Sequence, residues 1–219
     1  MITFRQFLNE ETQTPEVAAE LIIEHCHSFL AQSGFDPREL NDTSLFRGVG
    51  DYVDLPIFSK QTRWMQRDPV DTNRYIHNEL NKYFDEKFGV EYRSEAFFVT
   101  GSEKIAENYG HAFLVFPIGN FKFIWSPKIE DAYSYFAQPK ADGIPDMCDV
   151  LGKDIARESD DYVDDIGEYL RKVNPYKSNE LAKAIVSRHE IMIHCDSYYA
   201  LRYDSRLPDK FTERVLELL

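Results

Sequence analysis

The sequence predicts a single α+β domain, and three observations carry that prediction. Amphipathic helical patterns crowd the first part of the chain. Strand-like apolar runs crowd the middle and the end, and helices and strands do not alternate regularly as a doubly wound fold requires. With 16 Phe and 13 Tyr in 219 residues there is ample apolar mass to bury, and the length suits one domain or two small ones. No internal repeat or low-complexity tract interrupts the pattern.

The elements follow in order. Thr14-Pro15-Glu16 opens a helix, with Thr as N-cap, Pro at the first helical position and an acid in the first turn. Val17, Leu21, Ile22 and Cys26 carry the helical spacing to about Leu30, and Gly34 ends it. A loop with Asp36-Pro37 and Asn41-Asp42 precedes a strand from Thr43 to Gly48. Residues 49–70 read as irregular, with Pro56 and Pro69 as breakers. Asp71 to Phe88 is a second amphipathic helix, with Ile76, Leu80, Tyr83, Phe84 and Phe88 on one face and Gly89 as its cap. Ala96–Thr100 reads as a strand, Glu103–Tyr109 as a short helix that Gly110 ends, and His111–Pro117 and Lys122–Trp125 as further strands. Helix is expected at 128–138, a loop or mobile segment at 139–160, an acidic helix from Asp161 to Val173, and helix again at Leu181–Val186. His189–Cys195 is a strand, Ser197–Arg202 reads as its partner after a turn, and a short amphipathic helix follows Asp209.

Charge narrows the classes of partner. Against 38 Asp and Glu stand 25 Lys and Arg, a formal net of -13. Such a field repels nucleic-acid phosphates and anionic membranes, and no local basic patch offsets it. A basic protein partner fits better, and the run Glu158-Ser159-Asp160-Asp161 is either a solvated face or its docking point. Cys26, Cys148 and Cys195 match no disulfide framework and no zinc spacing, which points to a reducing compartment. His25-Cys26-His27 is spaced too closely on a helix for both imidazoles to face one ion, so no metal is expected. The N-terminus lacks the pattern of a signal peptide and no apolar run reaches the length of a membrane span. The expected location is the cytoplasm.

Three segments carry candidate chemistry. Leu45-Phe46-Arg47-Gly48 puts a guanidinium at a strand end beside a Gly that admits close approach. Phe97-Phe98-Val99-Thr100-Gly101-Ser102 delivers small hydroxyls to a helix start, where the plain reading is an N-cap. Ser187-Arg188-His189-Glu190-Ile191-Met192-Ile193 sets a carboxylate at the mouth of an apolar strand, where the plain reading is a solvated acid. Arg63, Arg67 and Asp68 form a further polar cluster, read as surface pairing or the lining of a cleft.

In this order the three segments resemble the Arg/Ser/Glu class of mono-ADP-ribosyltransferases, and in particular the compact transferase-like proteins of large tailed bacteriophages. The opening Met1-Ile2-Thr3-Phe4-Arg5-Gln6-Phe7-Leu8 is similar to phage-encoded N-termini. The resemblance spans about residues 43–202. It implies an ADP-ribosyltransferase-like fold of compact mixed or antiparallel sheets with N-terminal helices. The single domain of residues 1–219 then divides into a helical part at 1–42, an NAD-binding core at 43–202 and a tail helix at 203–219.

The resemblance also implies roles. NAD is the substrate, with no metal. Arg47 grips the phosphates and neighbouring ribose, and a guanidinium fork suits pyrophosphate. Gly48 offers backbone to the nicotinamide amide. Thr100-Gly101-Ser102 stands for the family's Ser-Thr-Ser strand, with Val99-Thr100-Gly101 as the other register. Thr100 then hydrogen-bonds the catalytic carboxylate and Ser102 contributes to cofactor binding. Glu190 is that carboxylate, stabilising oxocarbenium character on the ribose as a glycosidase carboxylate does. Phe121 or Phe123 stacks on nicotinamide, unless both are core aromatics. Arginine-modifying members carry a second Glu where this chain has Arg188, so another acceptor on a host macromolecule, chiefly protein, is implied. Two alternatives stand beside transfer: a degraded site acting as a binding module through the acidic surface, and plain NAD hydrolysis.

Overall fold

The computed structural model describes residues 14–50, 57–61, 72–138, 141–203 and 207–219. The first helix, α1 (Pro15–His25), starts as its sequence dictates, with Thr14 accepting a hydrogen bond from the Val17 amide at 3.3 Å. The helical run then breaks at Cys26 and resumes as α2 (His27–Ser33), which Gly34 closes in the left-handed region. A short α3 (Leu40–Thr43) occupies the expected loop and leads into β1 (Phe46–Val49). Strand β2 (Ile57–Gln61) lies inside the stretch expected to be irregular. The cluster of Arg63, Arg67 and Asp68 and the opening eight residues lie outside the described residues.

Helix α4 (Arg74–Phe88) has Asn73 as N-cap and Gly89 as left-handed cap. A one-turn α5 (Tyr92–Glu95), not expected from sequence, precedes β3 (Phe97–Val99) and α6 (Glu103–Glu107). Strands β4 (His111–Pro117) and β5 (Phe121–Trp125) and helix α7 (Ala132–Phe136) follow. The expected loop at 139–160 is corrected by α8 (Ile144–Leu151), for Pro145 sits in its first turn, where proline is tolerated. Then come α9 (Tyr162–Val173), α10 (Leu181–Ser187), β6 (Ile191–Cys195), β7 (Ser197–Arg202) and α11 (Leu207–Leu218).

The strands form two small antiparallel sheets, one ordered β1-β4-β7-β2 and the other β3-β6-β5. Strand β7 is therefore not the hairpin partner of β6. Asp196 alone separates them, fewer than the two residues of a tight hairpin turn, and the chain steps into the other sheet.

The three-stranded sheet is covered on both faces. Alternation sends Phe97, Val99, Phe123, Trp125, Ile191 and Ile193 into a first core shared with β1, β4, β7, α1, α2, α10 and α11. It sends Ile124 and Met192 into a second core built on α4, α7 and α9, to which α8 adds Met147. Burial on both faces is why β6 reads as an unbroken apolar run.

Candidate functional site

The three segments meet along one seam. Strand β1 and the end of β3 are joined by a reciprocal backbone pair, Phe46 N to Thr100 O at 2.7 Å and Thr100 N to Phe46 O at 2.9 Å. The Thr100 hydroxyl then donates to the main-chain carbonyl of Arg188 at 2.7 Å. Its oxygen accepts from the Ser102 amide at 3.3 Å, and Ser102 caps α6 by accepting from Ile105 N at 3.3 Å. The expected bond from Thr100 to the Glu190 carboxylate is thus replaced by one to the backbone two residues earlier.

The glycines of the seam serve close packing between elements. A Cβ on Gly48 would lie 2.2 Å from the Ala106 carbonyl oxygen and 2.7 Å from Tyr109 Cβ. One on Gly101 would lie 1.8 Å from the Ile185 carbonyl oxygen. Helix α6 rides directly on β1, and the turn before it presses on α10. What the sequence offered as room for a ligand at Gly48 is occupied by protein.

Arg47 is half-buried on β1 opposite Phe113. Its guanidinium carbon lies 5.3 Å from the Phe97 ring centre and 5.8 Å from that of Tyr198, within cation–π range. Both rings belong to the first core.

Glu190 follows a tight exit from α10. Arg188 takes the left-handed conformation at φ 63 and aims its guanidinium outward to Asp42 at 3.5 Å. His189 Nδ1 bonds the Ser126 carbonyl at 2.8 Å, and Glu190 N donates to the Glu130 carbonyl at 2.7 Å. The Glu190 carboxyl then faces the second core. Its Oε2 stands 3.5 Å from Arg93 Nη1, with side chains 15% and 9% exposed. The Asp131 carboxyl and the Ala132 amide lie in its electrostatic surroundings. Burial, first of all, pushes its pKa up to about 7; Arg93 opposes the rise and Asp131 adds to it. Tyr176, 4% exposed beside this group, is raised well above the usual tyrosine range by burial first and by the Glu190 charge second.

So the backbones of the three segments converge, whereas the two charged side chains part. Arg47 stacks in the first core and Glu190 pairs at the edge of the second. Phe123 is 4% exposed and Phe121 packs on Phe29 and Phe123, so both rings serve the first core and the expected stacking on nicotinamide is corrected for Phe123. Cys26 is fully buried, and burial pushes its thiol up to about 12; His25 Nδ1 is held by the Tyr199 hydroxyl at 2.8 Å. An open depression of about 630 Å³ lies apart from Glu190, between α3 and α11, with Arg38, Glu39, Asp42, Tyr203 and Glu213 on its walls.

Sequence reasoning missed Arg93, Asp131 and Tyr176. Asp131 had a signal: it caps α7 by accepting from Ser134 N at 2.6 Å, an Asp three residues before a Ser at a helix start. Arg93 had none, since Glu91-Tyr92-Arg93-Ser94-Glu95 reads as surface.

With the geometry in hand, the chain defines a mixed α+β protein with two small antiparallel sheets and a buried acid–guanidinium pair at a strand mouth. No protein-family model, no curated protein and no solved structure matches it. Among the described residues no helix is long and apolar enough to cross a membrane.

Proposed function

We propose that this chain is an ADP-ribosyltransferase-like protein, built on that family's two-sheet fold, that uses NAD as substrate. In this reading the bond between ribose C1′ and the nicotinamide nitrogen breaks and its electron pair leaves with nicotinamide. An acceptor on a host macromolecule then bonds C1′ and gives up its proton. Glu190 supplies the negative charge that stabilises the cationic ribose, and Arg47 and Ser102 belong to the NAD-binding side. Arginine is not the acceptor, because the position two residues before Glu190 holds Arg188 in place of a second acid.

One observation carries the reading. Segments remote in sequence, those of Arg47, Thr100 and Glu190, lie side by side through the Phe46–Thr100 backbone pair and the bond from Thr100 to Arg188. A specific observation favours the second reading, a binding module with a degraded site. Arg47 is committed to aromatic rings and Glu190 to Arg93, so neither presents a free charge to the other. In that reading the acidic surface takes a basic protein.

The deciding experiment incubates the protein with labelled NAD, with and without bacterial lysate, beside Glu190→Ala. Label on a macromolecule that the variant fails to transfer supports the transferase. Free ADP-ribose alone turns the reading to hydrolysis, and absence of both turnover and NAD binding removes the enzyme and leaves the binding module.

A further inference from the structure

A chain of buried polar side chains runs from α4 to the mouth of β6. Asn81 on α4 accepts the Arg93 amide on its Oδ1 at 2.8 Å and donates from Nδ2 to the Ser94 hydroxyl at 2.7 Å. His77, one turn earlier on α4, sets its Nε2 3.1 Å from the same hydroxyl. His77, Asn81, Arg93 and Ser94 are all buried, beside Ile76, Leu80, Phe84 and Tyr92 of the second core. Polar groups are tolerated in such surroundings when they are bonded, and a bonded network fixes one arrangement.

What the network fixes is α5. A helix of one turn does not hold by itself, and Asn81 ties this one at the Arg93 amide and the Ser94 hydroxyl. The arm so fixed carries Arg93. Its guanidinium carbon lies 4.7 Å from the Phe98 ring centre, and Nη1 stands 3.5 Å from Glu190 Oε2. Phe98 pairs in register with Met192, so the ring lies beside the strand that bears Glu190. Among the described residues no other carboxylate pairs with Arg93. The other charged groups near Glu190 are engaged elsewhere: Asp131 caps α7, Arg188 faces Asp42 and His189 bonds the Ser126 carbonyl. A guanidinium and a carboxylate this far buried each need the other's charge.

We propose that Asn81, which makes no bond to Glu190, positions it at second hand: the Asn81–Ser94–His77 network sets α5, and α5 holds the Arg93 guanidinium against the Glu190 carboxylate. The pair keeps that carboxylate charged and in one orientation. Its consequence for catalysis rests on the transferase reading, in which a fixed carboxylate faces the ribosyl cation. The pair and its support from α4 do not rest on that reading.

The test is a carbon-detected NMR titration of the Glu190 carboxyl in the full chain, for the native sequence, Arg93→Met, Arg93→Lys, Asn81→Ala and Asn81→Ala combined with Arg93→Met. Arg93→Met removes the facing charge and should raise the Glu190 midpoint by about one pKa unit, tenfold in proton affinity. Arg93→Lys should fall between native and Arg93→Met, since it keeps the charge and loses the fork. Asn81→Ala removes no charge, yet it should raise the midpoint by about half a unit, roughly threefold, and add nothing in the Arg93→Met background. The Arg93 Nε is buried, so its N–H resonance in the native chain should move with the Glu190 midpoint, which decides the pairing if the variants do not fold. Three results overturn the proposal: a midpoint that Arg93→Met or Asn81→Ala leaves in place, an Nε–H resonance that ignores the Glu190 titration, or an Asn81→Ala shift that persists undiminished without Arg93. Shifts without NAD turnover in any variant keep it and remove the transferase; turnover without shifts does the reverse.

Discussion

Gly101 and Glu190 show how single positions commit the backbone. Gly101 has no room for a methyl group, because its Cβ would sit inside the Ile185 carbonyl. We expect Gly101→Ala to destabilise the fold by about 3 kcal/mol, the upper end for overpacking, as read by urea denaturation. An unchanged midpoint would mean that α10 yields easily. Glu190 is pushed from 4.5 to about 7, so between those values the folded state binds more protons than the unfolded chain. Its contribution is full below 4.5 and is lost as pH rises through 7, on the order of 3 kcal/mol. Glu190→Gln should flatten that slope and leave the protein relatively more stable at pH 8, in thermal melts run from about pH 4 to 8. A slope that survives the substitution would place the proton elsewhere.

At the scale of elements, α8 shows how a breaker-rich stretch becomes ordered. Asp146 on α8 accepts from the Tyr135 hydroxyl of α7 and the Tyr169 hydroxyl of α9, and Lys128 Nζ stands 2.8 Å away. Lys153, just past α8, pairs with the buried Asp165 of α9 at 2.6 Å. These bonds fasten α8 to the second core. The Tyr135 and Tyr169 hydroxyls also bond each other at 2.8 Å, so Asp146→Ala should strand one part-buried hydroxyl. We expect a loss of about 1–3 kcal/mol, with faster hydrogen exchange confined to 144–151 and its neighbours. Exchange unchanged there would mean that Met147 alone holds the helix. Elements whose signals are local were legible: the capped α1 and α4 and the apolar β4 and β5. Helix α8 and the sheet exchange of β7 were not, because a polar anchor and a non-local strand partner leave no periodic trace.

Over the whole molecule, a net charge of -13 is spread over two cores that share one three-stranded sheet. Like charges repel, and salt screens them over about 10 Å at 0.1 M. Raising sodium chloride from low to physiological strength should therefore raise the melting temperature by a few degrees, as read by calorimetry. A fall would show that the ion pairs, such as Arg214 with Glu20 between α11 and α1, outweigh the overall repulsion. The shared sheet also decides where charge can sit. Its first face is sealed by aromatic and aliphatic side chains, and its second leaves Glu190 at the edge, beside Arg93 and Tyr176.

The sequence by itself determined the α+β class and most helices and strands, because capping residues and periodicity act over a few neighbours. The tertiary structure alone decided that Gly48 and Gly101 are contact points between elements, that β7 belongs to the other sheet, and that Arg47 and Glu190 face different cores. It also brought Arg93 from a surface-like segment to the buried carboxyl. Those outcomes depend on which segments meet in space, and alternation along a strand fixes which face each side chain takes only once the pairing is set.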